Sequence, residues 1–239
     1  MKKLLVFILF FSLSFGVFAQ RGISRTHLNY QNVDLKTFHY GFTLGVNLMD
    51  YEIAMKSRDY YLAEVVEPKL GFNVGIIGEY KLSDDFSVRL TPGVIFGGRT
   101  IQYTNTKAES VGSYSNTIAF EMPLLIKYSA HRHKNTRGYL IAGGAFKYDM
   151  TSENSFNPEG AVYTKNSPWD FTIELGVGFD WYFPFFKLST EARLSIGIMD
   201  VLNHDISDDE KLKYPGIEKY TTNIERMKSS MVSLLFHFE

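Results

Sequence analysis

The sequence predicts an all-β fold, an eight-stranded antiparallel transmembrane β-barrel with short periplasmic turns and long extracellular loops. Three observations predict it. Apolar residues recur with a period of two, the connections between the alternating stretches tend to be long and short in turn, and the strand charges keep to one parity. The clearest stretch runs from Trp169 to Met199. Trp169, Phe171, Ile173, Leu175, Val177, Phe179, Trp181 and Phe183 share one face, opposite Asp170, Thr172, Glu174, Gly176, Gly178 and Asp180. After the turn PFFK, Leu188, Thr190, Ala192, Leu194, Ile196 and Ile198 alternate with Ser189, Glu191, Arg193, Ser195 and Gly197.

Before the barrel comes a leader. Lys2 and Lys3 precede an apolar run from Leu4 to Phe18, and Val17 and Ala19 are small residues placed for a signal peptidase. Residues 1–19 are therefore expected to be a cleaved signal peptide, 20–37 an exposed periplasmic lead-in and 38–239 the barrel, with the protein exported to the cell outer membrane. The run is short for a membrane anchor, and Ser12, Ser14 and Gly16 dilute it. There is no cysteine, which excludes disulfides, thiolate metal sites and lipidation at the cleavage site. A net charge of −1 gives no sign of nucleic acid as a partner. No stretch after Gln20 is long and apolar enough for a membrane helix, so a membrane role requires closure into a barrel.

In chain order, Phe38 to Leu48 alternates without interruption and reads as the first strand, followed by a long connection from Met49 to Glu67. Leu70 to Tyr80 is the second, and Ser83, Asp84 and Asp85 mark the tight turn after it. The third starts at Phe86, and Pro92 within it predicts a bulge or gap, because proline cannot donate to the ladder. A polar loop at 104–115 leads to the fourth, Thr117 to Tyr128, and a basic turn containing His131, Arg132 and His133 leads to the fifth, Tyr139 to Asp149. A loop from Thr151 to Pro168 precedes the hairpin. The longest loop, Asp200 to Arg226, precedes a last strand from Met227 to the end.

Volume decides which face points outward. An eight-stranded barrel has an interior just wide enough for side chains to fill, so the large apolar parity faces lipid and the glycine-rich parity faces inward. That inner parity carries Lys69, Glu79, Arg89, Glu121, Lys127, Lys147, Glu174, Asp180, Glu191 and Arg193. A charge facing the bilayer centre costs roughly 2–4 kcal/mol, and the outer parity of the expected strands holds only Lys228. Arg89, Glu121, Lys127, Glu174, Asp180, Glu191 and Arg193 are accordingly expected to form a structural network of ion pairs across the lumen, with a proton or solute path as the alternative. Tyr40, Tyr80, Phe86, Tyr128, Trp181 and Phe183 at the turn end, and Tyr148, Trp169 and Phe171 at the loop end, suit interfacial girdles.

No catalytic, cofactor or metal site is expected. His39 and His237, with Ser87 and Ser233 nearby, fall at the turn rim, whereas a lipid-modifying enzyme of the outer leaflet would need its histidine at the loop rim, where His204 alone stands. His131 and His133 sit beside Arg132 and Lys134, which repel a cation, and Asp205, Asp208, Asp209 and Glu210 lack the ligand order of a calcium loop.

The stretches LNYQNVDLKTFHYGFTLGVN, EMPLLIKY, LIAGGAFKYDM and FTIELGVGFDWYF resemble the PorT family, outer-membrane β-barrels of the Bacteroidota associated with type IX secretion. The resemblance covers nearly the whole mature chain. It implies a non-enzymatic component needed to export surface and secreted proteins, including adhesins in gliding species. Its partners would be outer-membrane lipid, other type IX components and, during biogenesis, the barrel-assembly machinery. The alternatives are a general small outer-membrane barrel, acting as envelope anchor or narrow solute path, and a lipid-modifying enzyme.

Overall fold

The computed structural model describes residues 29–30, 33, 36–56, 61–105, 110–152, 165–203, 208–213 and 224–239. The leader, most of the lead-in, His204 and Asp205 lie outside the described residues. The strands are β1 (Phe38–Met55), β2 (Tyr61–Lys81), β3 (Phe86–Leu90), β4 (Gly93–Asn105), β5 (Ser110–Ser129), β6 (Thr136–Asp149), β7 (Trp169–Tyr182), β8 (Lys187–Gly197) and β9 (Ile224–Phe238). They make eight staves, because β3 and β4 occupy one position between β2 and β5. Every pairing is antiparallel, and β1 closes the ring by bonding to both β2 and β9. Closure leaves no edge to expose unpaired backbone groups in hydrocarbon. The eight-stranded barrel expected from the sequence is the observed fold.

Pro92 breaks the third stave as expected, and the break is a gap. Leu90 pairs with Leu124 and Gly93 with Glu121, so two residues face two and the register is unchanged across the interruption. The carbonyl of Pro92 still accepts from Ile76 N at 3.0 Å, and Thr91 N donates to Pro123 O at 3.3 Å.

Several strands run well past their expected ends. β1 reaches Met55, β2 begins at Tyr61, β4 reaches Asn105 and β5 begins at Ser110, so much of the long connection at 49–67 and of the loop at 104–115 is ladder. A bilayer needs only about 9–11 tilted residues per strand, so the 18 residues of β1 carry its upper end clear of the hydrocarbon. Along β1 the outer residues are Phe42, Leu44, Val46 and Leu48, then Asp50 and Glu52, all exposed. The inner residues are Thr43 and Asn47, then Met49 and Tyr51, all buried. Alternation continues while its chemistry inverts.

The inverted region has its own core. Tyr51 of β1, Ile101 and Tyr103 of β4, and Ile224 and Met227 of β9 enclose Val201 and Leu202 from the β8–β9 connection. Asp200 holds that segment in place, its Oδ1 accepting from Leu202 N and Met227 N at 3.0 Å each. Beside it, Ser167 N donates to Val201 O and Asn203 N to Lys165 O, so two loop segments lie together across the upper mouth. Beyond them, α1 (Asp208–Lys213) holds three of the acidic loop residues.

At the other mouth the lead-in departs from the exposed segment expected. Val33 is 2% exposed, and its carbonyl is 2.9 Å from His39 Nε2. Asn29 N donates to Asn135 Oδ1 at 2.9 Å, its Nδ2 donates to Tyr182 O at 3.1 Å, and its carbonyl accepts from Arg132 at 2.5 Å. Polar composition suggested solvent, but one apolar side chain suffices to seat the segment over a narrow opening.

Candidate functional site

The lumen between these two mouths is the chemically distinctive part of the molecule. Its charged side chains form one chain in which acid and base alternate. Asp180 Oδ2 meets Lys127 Nζ at 2.8 Å, and Lys127 lies 3.5 Å from Glu79. Glu79 Oε2 accepts from Arg89 NH2 at 2.6 Å, and Arg89 NH1 donates to Glu191 Oε2 at 2.7 Å. Arg193 NH2 donates to the other oxygen of Glu191 at 2.6 Å and places its Nε 3.9 Å from Glu174. Lys147 ends the chain, 3.8 Å from Glu174 and 3.0 Å from Glu121. The seven residues singled out from the sequence are thus brought together, with Glu79 and Lys147 as the links between them. Lys69 is not among them. It is exposed on β2 at a register shift against β4, which takes it out of the inner row.

Neutral groups complete the array. Tyr139 donates its hydroxyl to Glu191 at 3.0 Å, while Lys127 and Arg89 stand 4.2 and 5.0 Å from the centre of its ring. Ser87 donates to Glu79 at 2.8 Å, Ser189 to Asp180 at 2.5 Å and Thr172 to Glu174 at 2.8 Å. A buried charge is tolerable only when paired and hydrogen-bonded, and this arrangement meets that condition by sharing each ion between neighbours. Its tightness is set by glycine: a Cβ at Gly178 would strike the ring of Tyr139.

Sequence reasoning missed several members. Lys187 pairs with Glu239 at 2.8 Å, and Ser229 bonds to Asp170. The sequence places Lys187 in the turn PFFK, whereas in the structure it opens β8 on the inner parity. Tyr139 also lies on the inner parity, and being uncharged it carries no parity signal of its own.

The catalytic alternative fares poorly on geometry. Thr43 Oγ1 and His237 Nδ1 are 2.7 Å apart, and His237 Nε2 is 3.4 Å from Glu191 Oε2, which gives a hydroxyl, an imidazole and a carboxylate in sequence. All three are buried, and Glu191 is already bound by two guanidinium groups, so no substrate could reach the hydroxyl. Of the two serines expected near the histidines, Ser87 is committed to Glu79 and Ser233 is buried within the wall. The His131 side chain is 94% exposed, and its nearest carboxylate, Asp85, is 4.0 Å away. Among the described residues no group of three or more His, Asp or Glu side chains could hold a metal ion.

Apolar layers bound the charged lumen. Met49, Ile95 and Met231 pack together above it, and Val33 lies over the mouth below. The outer wall is exposed Leu, Ile, Val, Phe, Tyr and Trp, with paired rings at the loop end: Tyr148 and Trp169 at 4.4 Å, and Phe146 and Phe171 at 5.3 Å.

Comparison with protein families agrees with this wall. Residues 18–203 match the family described as "Outer membrane protein beta-barrel domain". The chain belongs to that family. Among solved structures, this outer-membrane barrel is similar to the outer membrane protein OprG from Pseudomonas aeruginosa, with 12% identity and a TM-score of 0.49 over 84% of this chain and 92% of that one. It is also similar to Neisserial surface protein A, with 11% identity and a TM-score of 0.44 over 84% and 98%. A third is Ail of Yersinia pestis, solved with the heparin analogue sucrose octasulfate, with 10% identity and a TM-score of 0.41 over 85% and 99%. No curated protein matches the chain.

Proposed function

We propose that this outer-membrane barrel is a non-enzymatic, non-conducting component of type IX protein secretion. On this reading its leader, residues 1–19, is removed on export, and its two ends carry the function. The observation behind the non-conducting part is the unbroken run of ion pairs from Asp180 to Glu121, lying between apolar layers at both ends. Eight strands leave an interior filled by side chains, and wider barrels are needed for a water-filled channel. The network then acts as a structural plug. The secretion assignment is supported by the resemblance of residues 28–47, 121–128, 140–150 and 171–183 to the PorT family.

The test is to delete the gene and follow, in one strain, the export of surface and secreted proteins alongside leakage of small solutes. The expected result is loss of export with unchanged permeability. Normal export would remove the secretion role, and reduced uptake of a small solute would favour the solute path instead. Restoring export with Glu121→Ala and Arg193→Ala proteins would show that the lumen serves stability alone.

A further inference from the structure

Two adjoining hollows indent the lipid-facing wall. One, of about 720 Å³, lies among Ile126, Ala142, Leu175, Ala192 and Leu194; the other, of about 380 Å³, lies among Ala130, Gly138 and Phe179. They meet at Tyr128, Leu140 and Val177, which pair side by side across β5, β6 and β7 and form a rise between them, so the groove along β6 is two hollows in line. On the outward row of β6, Leu140 stands between Gly138 in the lower hollow and Ala142 in the upper one, and Gly144 follows beyond them. Packing does not demand these glycines. A Cβ at Gly143 or Gly178, on the inner row of the same wall, would collide with the neighbouring strand or with Tyr139. At Gly138 and Gly144 the nearest atoms would be 3.5 Å away, an ordinary contact, and the effect of Gly138 is to leave the lower hollow open.

The groove descends to Ala130 and Gly138, which close the β5–β6 turn through the bond from Ala130 N to Gly138 O at 2.9 Å. That turn carries His131, Arg132, His133, Lys134 and Arg137. Arg132 is turned toward the mouth, 3.7 Å over the ring of Tyr182, and Arg137 donates through Nε to Ala130 O at 2.7 Å. His133 and Lys134 are exposed, and among the described residues neither has an ion-pair partner. The adjacent turn supplies two carboxylates. Asp84 is held by Lys81 at 2.8 Å, and Asp85 is the one near His131. The hydrogen bond and charge of Lys81, with help from Arg137 and His131, keep the Asp84 carboxyl below its usual range, as expected where cations prevail.

An apolar trough in the bilayer that ends at a cluster of cations matches an amphiphile with an anionic head. We propose that the β5–β6–β7 wall binds an anionic phospholipid of the periplasmic leaflet, one acyl chain seated in the hollow at Gly138 and passing over Leu140 toward Ala142, and the phosphate meeting His133 and Lys134. The groove is continuous with the lipid-facing surface, which supplies the chain, and the charge of the turn selects the head.

The test uses the full barrel in detergent, with lipid adducts counted by native mass spectrometry during titration with phosphatidylglycerol, phosphatidylcholine or water-soluble glycerol 3-phosphate. Phosphatidylglycerol is expected to bind one per barrel, more tightly than phosphatidylcholine, and glycerol 3-phosphate not to compete. Gly138→Leu with Ala142→Leu fills the groove and should weaken binding about tenfold or more. His133→Gln with Lys134→Asn, in which asparagine tolerates the positive φ of 58° at Lys134, should weaken phosphatidylglycerol about fivefold for the lost lysine and leave phosphatidylcholine unchanged. Heat-dependent gel mobility confirms that each variant is folded. Equal retention of the two lipids, unchanged binding in the filled groove, or displacement by glycerol 3-phosphate would each overturn the proposal. Absence of any adduct would also overturn it and leave the trough to a protein segment.

Discussion

The lower and upper halves of this barrel share one hydrogen-bonded ladder and reverse its chemistry. In the lower half Phe42, Leu44 and Val46 face out while Thr43 and Asn47 face in; one turn of the pleat higher, Asp50 and Glu52 face out while Met49 and Tyr51 face in. β9 repeats the change, from exposed Val232 and Leu234 with buried Ser233 and His237 to buried Met227 and Met231. Backbone pairing runs through the switch, from Leu48 with Val232 to Asp50 with Ser230. An antiparallel ladder therefore sets only which residues share a face. The surrounding medium decides what those residues must be: lipid takes the large apolar side chains outside and confines charge to the lumen, whereas water reverses both, as in an ordinary soluble core.

The sharpest way to break the lower half is to remove the central link of its ion chain. Arg89→Met leaves Glu79 and Glu191 without a shared cation and should cost about 3–5 kcal/mol, read as a lower urea midpoint for unfolding from vesicles. Next comes the outer surface of the same half. Leu44→Lys should cost about 2–4 kcal/mol in that assay if Leu44 faces hydrocarbon. A loss below 0.5 kcal/mol would mean that the bilayer boundary is misplaced. In the upper half, Ile101→Val should cost about 0.5–1.5 kcal/mol and speed amide exchange around Val201 and Ile224, without affecting exchange in β7. The smallest effect belongs to the upper outer surface, where Glu52→Gln should change stability by less than about 0.5 kcal/mol. The contrast between Leu44 and Glu52, two outward positions of the pleat to either side of one boundary, is the most direct measure of where lipid ends.

The fold was legible because the lower half obeys a rule with two independent signatures. Alternation gave the strands, and the restriction of charge to one parity gave their sidedness; both survive in the structure from Trp169 to Gly197 almost residue for residue. The upper half looks like loop in the sequence because apolar residues there no longer point outward, and at Met49 the relation reverses. The signal was present in Met49, Tyr51, Ile53 and Met55 set against Asp50 and Glu52, but it has meaning only once the strand is known to leave the membrane. At the lumen, parity was enough to gather the seven expected charges, since the barrel is too narrow to keep them apart. It could not supply the pairing order, which depends on how far each strand is staggered against the next. Lys69 shows the limit most plainly: its parity was right for the lumen, and a register shift in β2 moved it away.

Pro92 and Pro123 have a consequence for how the wall moves. They occupy opposing two-residue stretches of adjacent staves, between the Leu90–Leu124 and Gly93–Glu121 pairs, so two missing donors fall at one height of the cylinder. Hydrogen–deuterium exchange should begin at this seam, with the amides of Ile76 and Thr91 exchanging before those of β7 and β8 at the same depth. The cylinder has here a longitudinal hinge, and any flattening of its cross-section under lateral pressure from the bilayer would fold along that line.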